Sequence, residues 1–185
     1  MRIISGLVGR RQINVPKSVT RPSTDRLREA LFSILADKVI GARVLDLFSG
    51  SGALGLEALS RGAASAVMVD ESREACRVIG KNLSSLGLEG GRVVQSDVYH
   101  FVNQDRFEYD IVFADPPYCK QSGHRDFVFE LLDCSGLRSC LNDDAWLVVE
   151  DFPKNKRDVI AGWELIDERQ YGGCGILFYQ MAKSA

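Results

Sequence analysis

The first strong pattern in the chain is one apolar face of a helix near residue 24. Ser23 or Thr24 is well placed as the N-cap, and Asp25 would lie in the first turn, where the helix dipole favours a carboxylate. Apolar residues then recur at the i, i+3, i+4, i+7 and i+8 spacing of one helix face, namely Leu27, Ala30, Leu31, Ile34 and Leu35. The pattern predicts an amphipathic helix here.

From Arg43 onward, short apolar runs alternate with longer segments of helical character. The predicted strands are Val44–Leu47, Ala66–Val69, Val93–Gln95, Ile111–Ala114 and Trp146–Val149. The predicted helices are 53–61, 72–85, 97–102 and 124–133. This alternation indicates an α/β fold with a mostly parallel, doubly wound sheet. Two further runs, Trp163–Tyr171 and Ile176–Met181, are joined through Gly172-Gly173 and predict an antiparallel hairpin at one side.

The N-terminal segment differs in character from the rest. Residues 2–15 contain two short β-prone runs separated by Gly6 and Gly9, which predicts a hairpin, and residues 16–22 look like a linker. We therefore expect one domain over residues 1–185, with an N-terminal hairpin arm (1–22) and a catalytic core (23–185). The sequence shows neither a run of about 20 apolar residues nor an apolar signal core, so we expect a cytoplasmic protein.

Charge is distributed unevenly along the chain. The formal net charge is −2, yet residues 1–24 carry five basic residues and no acidic one, so the remaining 161 residues carry −7. A basic arm on an acidic body is typical of a surface that meets phosphates, although a merely solvated hairpin would have the same composition. The five cysteines include no C-x-x-C pair and only two histidines are present, so we expect reduced, buried thiols and no metal site.

A glycine-rich loop follows the first predicted strand. Gly50, Gly52 and Gly55 form G-x-G-x-x-G, and Asp70 lies twenty residues after Gly50 at the end of the second strand. The glycines let backbone approach a ligand, and a carboxylate in that position can accept both hydroxyls of an adenosine ribose. Dinucleotide-binding proteins have the same spacing, so the loop alone does not identify the ligand.

Asp46 favours a particular ligand. It lies within the first strand, where a dinucleotide fold normally has an apolar residue, and a buried carboxylate needs backbone donors or a cation. S-adenosylmethionine supplies an ammonium group, although an aspartate that only braces the loop is the alternative. At the end of the third strand, Asp97 could bind the adenine amino group, cap the next helix, or do both.

The fourth strand runs into Asp115-Pro116-Pro117-Tyr118. Consecutive prolines fix φ and remove backbone donors, which leaves rigid carbonyls at the carboxyl end of a parallel strand, where ligands bind. An exocyclic amino group is a poor nucleophile because its lone pair is delocalised. Acceptors at Asp115 Oδ and the Pro116 carbonyl could localise that lone pair, and Tyr118 could stack on the base. A plain double-proline turn is the alternative.

These motifs together resemble the RsmD-type 16S ribosomal RNA (guanine-N2) methyltransferases of bacteria. The resemblance covers nearly the whole chain and runs through RIISG, RPSTDRLREALF at 21–32, LDLFSGSGALGLEALSRGA, VDESREA, KNL, DPPY and a C-terminal YGG. The segment at 21–32 is the most diagnostic, since methyltransferases in general share the glycine loop but not this stretch.

The resemblance implies a Rossmann-like class I methyltransferase fold with an antiparallel final strand. It implies S-adenosylmethionine as donor and a guanine in 16S rRNA as acceptor, within a 30S particle or an assembly intermediate. The residues expected at the cofactor are Asp46, Phe48, Gly50, Gly52, Asp70, Asp97 and Val98. The catalytic loop would be Asp115, Pro116, Pro117 and Tyr118. The residues expected to meet RNA are Arg10, Arg11, Lys17, Arg21, Arg26 and Arg28.

Other functions remain open at this point. Adenine-N6 and protein-glutamine methyltransferases use a similar proline loop, usually opened by Asn, and the basic arm argues against a protein substrate. A non-catalytic RNA-binding module would not require all four residues of the loop. A nucleotide-dependent oxidoreductase is disfavoured by Asp46 and by the proline loop.

Overall fold

The computed structural model describes residues 1–17, 24–117, 126–151 and 160–182. The helices are α1 (Asp25–Leu35), a 3-10 turn (Ala36–Val39), α2 (Ala53–Ser60), α3 (Arg73–Leu86), α4 (Val98–Gln104), α5 (Phe127–Asp133) and α6 (Ser135–Ser139). The strands are β1 (Arg43–Leu47), β2 (Ser65–Asp70), β3 (Gly91–Gln95), β4 (Tyr109–Ala114), β5 (Leu141–Asp151), β6 (Trp163–Tyr171) and β7 (Cys174–Met181).

One seven-stranded sheet organises the chain, in the order β3-β2-β1-β4-β5-β7-β6. Strands β1 to β5 run parallel to one another, and β7 runs antiparallel to both β5 and β6. The predicted doubly wound sheet with its C-terminal antiparallel hairpin is confirmed. Strand β5 is much longer than the predicted Trp146–Val149. Helix α6 was not predicted, because its five residues are too few to show a helical period.

Each face of the sheet carries its own hydrophobic core, as expected when helices cover both sides. One core packs α1, α2, α3 and the N-terminal segment against alternate residues of the strands, including Met68 and Phe113. The other packs α4, α5 and α6 against the opposite residues, including Leu47 and Ala114. This alternation sets which strand residues face α1 and α2 at the sheet's carboxyl edge.

Local signals explain where the flanking helices begin. Thr24, one of the two predicted N-caps, accepts a hydrogen bond from the Leu27 N–H through its side chain (3.2 Å). The other candidate, Ser23, lies outside the described residues. Helix α3 has Ser72 as its N-cap and ends at Gly87, whose φ of 66° is the left-handed conformation that favours glycine.

The N-terminal segment folds back on itself but does not project from the body. It has one antiparallel bridge, Arg2 to Gln12, and both Ile3 and Ile13 are buried in the core. The buried Glu57 of α2 accepts hydrogen bonds from the backbone of this segment, including the Ile4 N–H at 2.7 Å. The segment is therefore a docked layer over α2 and α3.

Gly6 shows how closely this layer is packed. Its φ is +83°, and a Cβ there would lie 1.8 Å from the Ser60 carbonyl oxygen. The neighbouring Leu7 N–H donates to the same oxygen at 2.7 Å. Only glycine fits this contact, so the first of the two arm glycines is required for docking.

The described cysteines are free thiols, as expected, but only Cys140 is buried, while Cys76, Cys134 and Cys174 are partly exposed. Cys119 lies outside the described residues. Among the described helices, none is long and apolar enough to cross a membrane.

Candidate active site

The carboxyl ends of β1 to β4 bring the candidate cofactor and catalytic residues to one edge of the sheet. The register aligns Leu47 with Val69 and with Ala114, so the residues that follow these strands emerge side by side. Backbone bonds tie the loops together, since the Ser49 N–H donates to the Val69 carbonyl (3.0 Å) and the Ser96 N–H to the Asp70 carbonyl (3.1 Å). The fold thus brings the loops that follow these strands together at one edge of the sheet, and the roles of their residues stay predictions.

The glycine loop is shaped by two different requirements. Gly52 has a φ of +75° and serves as the N-cap of α2, a conformation that a side chain would strain. A Cβ on Gly55 would lie 2.6 Å from Met68 Cγ and 3.2 Å from Asp46 Oδ2. The absence of a side chain at Gly55 thus lets the first turn of α2 approach the sheet.

Asp46 is a buried carboxylate beneath this loop. It is 2% exposed, and its Oδ2 accepts a hydrogen bond from the Gly55 N–H at 2.9 Å. Burial raises the pKa of the Asp46 carboxyl to about 7; the Gly55 bond opposes this rise and the negative charge of Asp70 adds to it. Asp46 therefore does brace the loop, and its charge is poorly compensated by the protein alone.

Asp70 holds the glycine loop from the neighbouring strand. Its Oδ2 accepts from the Gly50 N–H and its Oδ1 from the Ser72 N–H, both at 2.8 Å. Each carboxylate oxygen has a second lone pair, so these bonds leave acceptor capacity for ligand hydroxyls. This bracing role was not evident from the spacing of the sequence.

Three further candidate cofactor residues border the same edge. Phe48 adopts a φ of 57°, unusual for a residue with a side chain, and its ring meets Phe127 edge-on at 6.1 Å. Asp97 is exposed and caps α4, accepting from the His100 N–H at 2.9 Å. Val98 is buried in the first turn of α4. The capping role of Asp97 is established, and its contact with adenine stays a prediction.

The predicted catalytic loop begins one residue beyond β4. Asp115 is half-buried, Pro116 is buried and Pro117 is exposed. Register places Asp115 beyond Ala114, the partner of Leu47, so it emerges beside the start of the glycine loop. Tyr118, the predicted stacking residue, lies outside the described residues.

Arg10 and Arg11 lie far from this edge. The turn that carries Arg10 contacts Ser60 at the end of α2, whereas the glycine loop lies at the start of α2. About 12 Å of helix therefore separates this turn from the glycine loop. Arg10 is exposed. The Arg11 guanidinium donates to the carbonyls of Ser85 and Leu86, the last two residues of α3, where the helix dipole favours a cation.

The remaining basic candidates have different surroundings. Lys17 and Arg26 are exposed, and the Lys17 N–H donates to Glu74 in the first turn of α3, near the carboxyl edge (3.3 Å). Arg28 is fully buried. This corrects the expectation that Arg28 meets RNA, because a side chain without exposed surface cannot reach a phosphate in this arrangement. Arg21 lies outside the described residues.

Two residues that connect the N-terminal segment to the site were missed by the sequence analysis. Asn82 is buried in α3, and its Nδ2 donates to the Asn14 carbonyl (3.0 Å) and to the Ser51 carbonyl of the glycine loop (3.2 Å). Glu57 anchors the other end of the segment. A lone carboxylate in the apolar run ALGLEALS was a usable signal for Glu57, whereas nothing local distinguishes Asn82.

Within the described ranges, no cluster of three or more His, Cys, Asp or Glu side chains could hold a metal ion. The geometry above, with carboxylates flanking a glycine loop and a proline loop one strand away, is the arrangement that was expected of a methyltransferase.

Comparison with known proteins gives relatives over nearly the full length. The Escherichia coli (strain K12) protein named ribosomal RNA small subunit methyltransferase D is 40% identical over 182 residues, covering 97% of this chain and 89% of that protein. A putative rRNA methyltransferase of Bacillus subtilis (strain 168) is 31% identical over 190 residues, covering 97% of this chain and 98% of the relative.

Solved structures agree with these sequence matches. A putative methyltransferase from Escherichia coli has a TM-score of 0.83 at 38% identity and covers 98% of this chain and 97% of that one. A hypothetical protein of Thermus thermophilus has a TM-score of 0.79 at 32% identity and covers 96% and 98%. The Rossmann-like methyltransferase fold is therefore confirmed.

The model of the family described as conserved hypothetical protein 95 matches residues 1–180. The resemblance to the RsmD-type enzymes is confirmed by that match and by the Escherichia coli relative, and the chain belongs to this family.

Proposed function

We propose that this chain transfers a methyl group from S-adenosylmethionine to the exocyclic N2 amino group of a guanine in small-subunit ribosomal RNA. The observation that carries the proposal is that Asp46 and Asp70 both accept hydrogen bonds from the glycine loop, while the register brings Asp115 to the same carboxyl edge of the sheet. The names of the relatives support ribosomal RNA as the substrate class. With such a substrate, we expect the enzyme to act in the cytoplasm on a 30S particle or its precursor.

The residues at the glycine loop fit S-adenosylmethionine. The buried Asp46 carboxylate lacks a compensating cation in the contacts described above, and the ligand's ammonium would supply one. Asp70 would accept the ribose hydroxyls with the lone pairs that the backbone bonds leave. Asp97 and Val98 would border the adenine, and Phe48 would line the same site. When bound, this donor supplies a methyl group on a sulfonium, which is open to attack by a nucleophile.

The proline loop would orient and activate the target amine. Asp115 Oδ and the Pro116 carbonyl would each accept one N–H of the guanine amino group, drawing the nitrogen toward tetrahedral geometry. Positioning for in-line attack then accounts for most of the rate, and Asp115 can hold the departing proton afterwards. Tyr118 would stack on the flipped base.

RNA binding would begin beside the site, at Lys17 and Arg26, and extend down the N-terminal layer to Arg10, with Arg21 as a further expected RNA contact. A guanine that enters the pocket must leave its stack, which costs a few kcal/mol. Phosphate contacts on the flanking nucleotides would offset that cost without reading sequence.

The test uses 30S particles from a strain that lacks the corresponding activity. Purified enzyme and methyl-labelled S-adenosylmethionine are incubated with these particles or with protein-free 16S rRNA. The RNA is then digested and its nucleosides are analysed by mass spectrometry. We expect N2-methylguanosine at one position, and about 10²- to 10³-fold less of it with Asp115→Ala, which removes the proposed acceptor. Label in N6-methyladenosine, or in a glutamine of a ribosomal protein, would refute the guanine assignment.

A further inference from the structure

Arg28 lies in the interior, and its guanidinium is only partly hydrogen-bonded within the described part of the chain. Arg28 has no exposed surface, and its Nη2 donates to the Arg2 carbonyl and to Asp25 Oδ1, both at 2.8 Å. Its Nε and Nη1 are also buried, and neither has a hydrogen-bond partner among the described residues. Buried charged donors without acceptors destabilise a fold, so the position is costly for an arginine that serves only packing.

The path of α1 places Arg28 at the carboxyl edge of the sheet. The Phe32 ring packs on Phe113 near the end of β4 (5.6 Å between centroids). Further along, Lys38 lies over Trp146 (5.1 Å), which pairs with Ile111 earlier in β4. The chain therefore descends from the carboxyl edge as it runs from Phe32 to Lys38. Arg28, one helical turn before Phe32, lies above Phe113 and toward the site.

The same face of the sheet carries Asp46. Asp46 is the register partner of Phe113, and its Oδ2 lies with Met68 against the first turn of α2, in the core that α1 also covers. Arg28 and Asp46 are thus buried opposite charges at the same edge, and neither contacts the other in any described bond.

A short chain segment links Arg28 to the glycine loop. Arg28 holds the carbonyl of Arg2, and the preceding residue, Met1, has its Sδ 3.5 Å from Ser51 Oγ in the loop. Met1 and Arg2 therefore connect the guanidinium to Ser51. The Met1 side chain is unbranched and flexible, and is the group that can move aside here.

The amino-acid end of the proposed donor carries two opposite charges on one carbon. None of the residues assigned above to the cofactor is cationic, so its carboxylate has no assigned partner. The geometry points to Arg28 as a cofactor-binding residue, whose Nε and Nη1 take the carboxylate of the methionine moiety while Asp46 takes the ammonium. A guanidinium suits this role, because its fixed donors match a carboxylate. This inference rests on the proposed use of S-adenosylmethionine.

The first test needs no variant. Titration calorimetry compares S-adenosylhomocysteine with its decarboxylated analogue, which lacks only the carboxylate. We expect wild-type protein to bind S-adenosylhomocysteine roughly 10- to 100-fold more tightly, the range for hydrogen bonds between charged groups. Equal affinities would overturn the role of Arg28 and leave the proposed function intact. If neither compound bound, the proposed function itself would fall, and this inference with it.

The second test uses Arg28→Met, which removes the charge and keeps most of the side-chain volume. We expect this variant to lose affinity for S-adenosylhomocysteine and keep that for the decarboxylated analogue, so that the preference disappears. The matched control is Arg2→Met, which removes the other guanidinium on Asp25 and should keep the wild-type preference. If Arg28→Met bound both compounds more weakly by the same factor, Arg28 would have a structural role. If it bound both compounds normally and 16S rRNA more weakly, Arg28 would contact RNA. Either result overturns the inference.

Discussion

Cofactor affinity should depend on the protonation of Asp46. The pKa of this carboxyl rises to about 7 because it is buried, and the difference from its ordinary value of 3.8 corresponds to about 4 kcal/mol. The folded chain thus holds the proton more tightly than the unfolded chain does. Without ligand, stability should therefore fall as pH rises from about 4 to 7. An ammonium beside the carboxylate reverses this preference, so binding should release the proton.

The size of the effect follows from the ionised fraction. With a pKa of about 7, roughly 9% of Asp46 is ionised at pH 6 and roughly 91% at pH 8. Affinity for S-adenosylhomocysteine should accordingly be about tenfold weaker at pH 6 than at pH 8, if only the ionised form binds well. The ligand's ammonium stays mostly protonated over this range, because a primary amine is a stronger base than this carboxylate. Proton release should be about 0.9 per ligand at pH 6 and about 0.1 at pH 8.

Calorimetry in two buffers of different ionisation enthalpy measures both quantities. The control is Asp46→Asn, whose amide oxygen can still accept the Gly55 N–H while the charge is lost. We expect the variant to bind about 10- to 100-fold more weakly at pH 8, with no pH dependence and no proton release. A wild-type affinity that stays constant from pH 6 to 8, or the same dependence in the variant, would refute the reasoning.

Four further outcomes follow from the contacts of the site and of the N-terminal layer. Asp115→Ala should lower single-turnover methylation by about 10²- to 10³-fold with little change in S-adenosylhomocysteine affinity, and near-normal turnover would exclude the amine-activating role. Asp70→Ala should weaken ligand binding by about 1.5–3 kcal/mol and also lower the melting temperature, since Gly50 and Ser72 lose their acceptor; unaltered affinity would leave Asp70 only the bracing role. Gly55→Ala should destabilise the fold by about 1–3 kcal/mol through its contact with Met68, whereas Gly80→Ala, a helical site with open space, should not destabilise it in the same denaturant titration. Arg10→Ala should reduce the slope of log RNA affinity against log salt concentration by about 0.7. Arg11→Ala should mainly lower the free energy of unfolding, by about 0.3–1 kcal/mol, because its guanidinium binds the end of α3. The reverse pattern would show that the two roles are exchanged.

The sequence by itself determined the architecture and the location of the site. Strand–helix alternation predicted the doubly wound sheet, and Gly172-Gly173 between two β-prone runs predicted the antiparallel end. The glycine loop, Asp70 and the proline loop could be located because each follows a strand, and the ends of parallel strands share an edge. These signals are local in the chain, so neither burial nor packing was needed to recognise them.

Tertiary structure decided which charges are buried and which face solvent. Arg10, Arg11 and Arg28 look alike in the sequence, yet one is exposed, one is bound to the end of α3 and one is fully buried. The sequence predicted a hairpin arm, and in the structure Glu57 and Asn82 hold this segment against α2 and α3. Such contacts join residues more than fifty positions apart, and no periodicity or spacing encodes them. An arginine's partners are set by the elements that pack around it, and those are fixed only when the core closes.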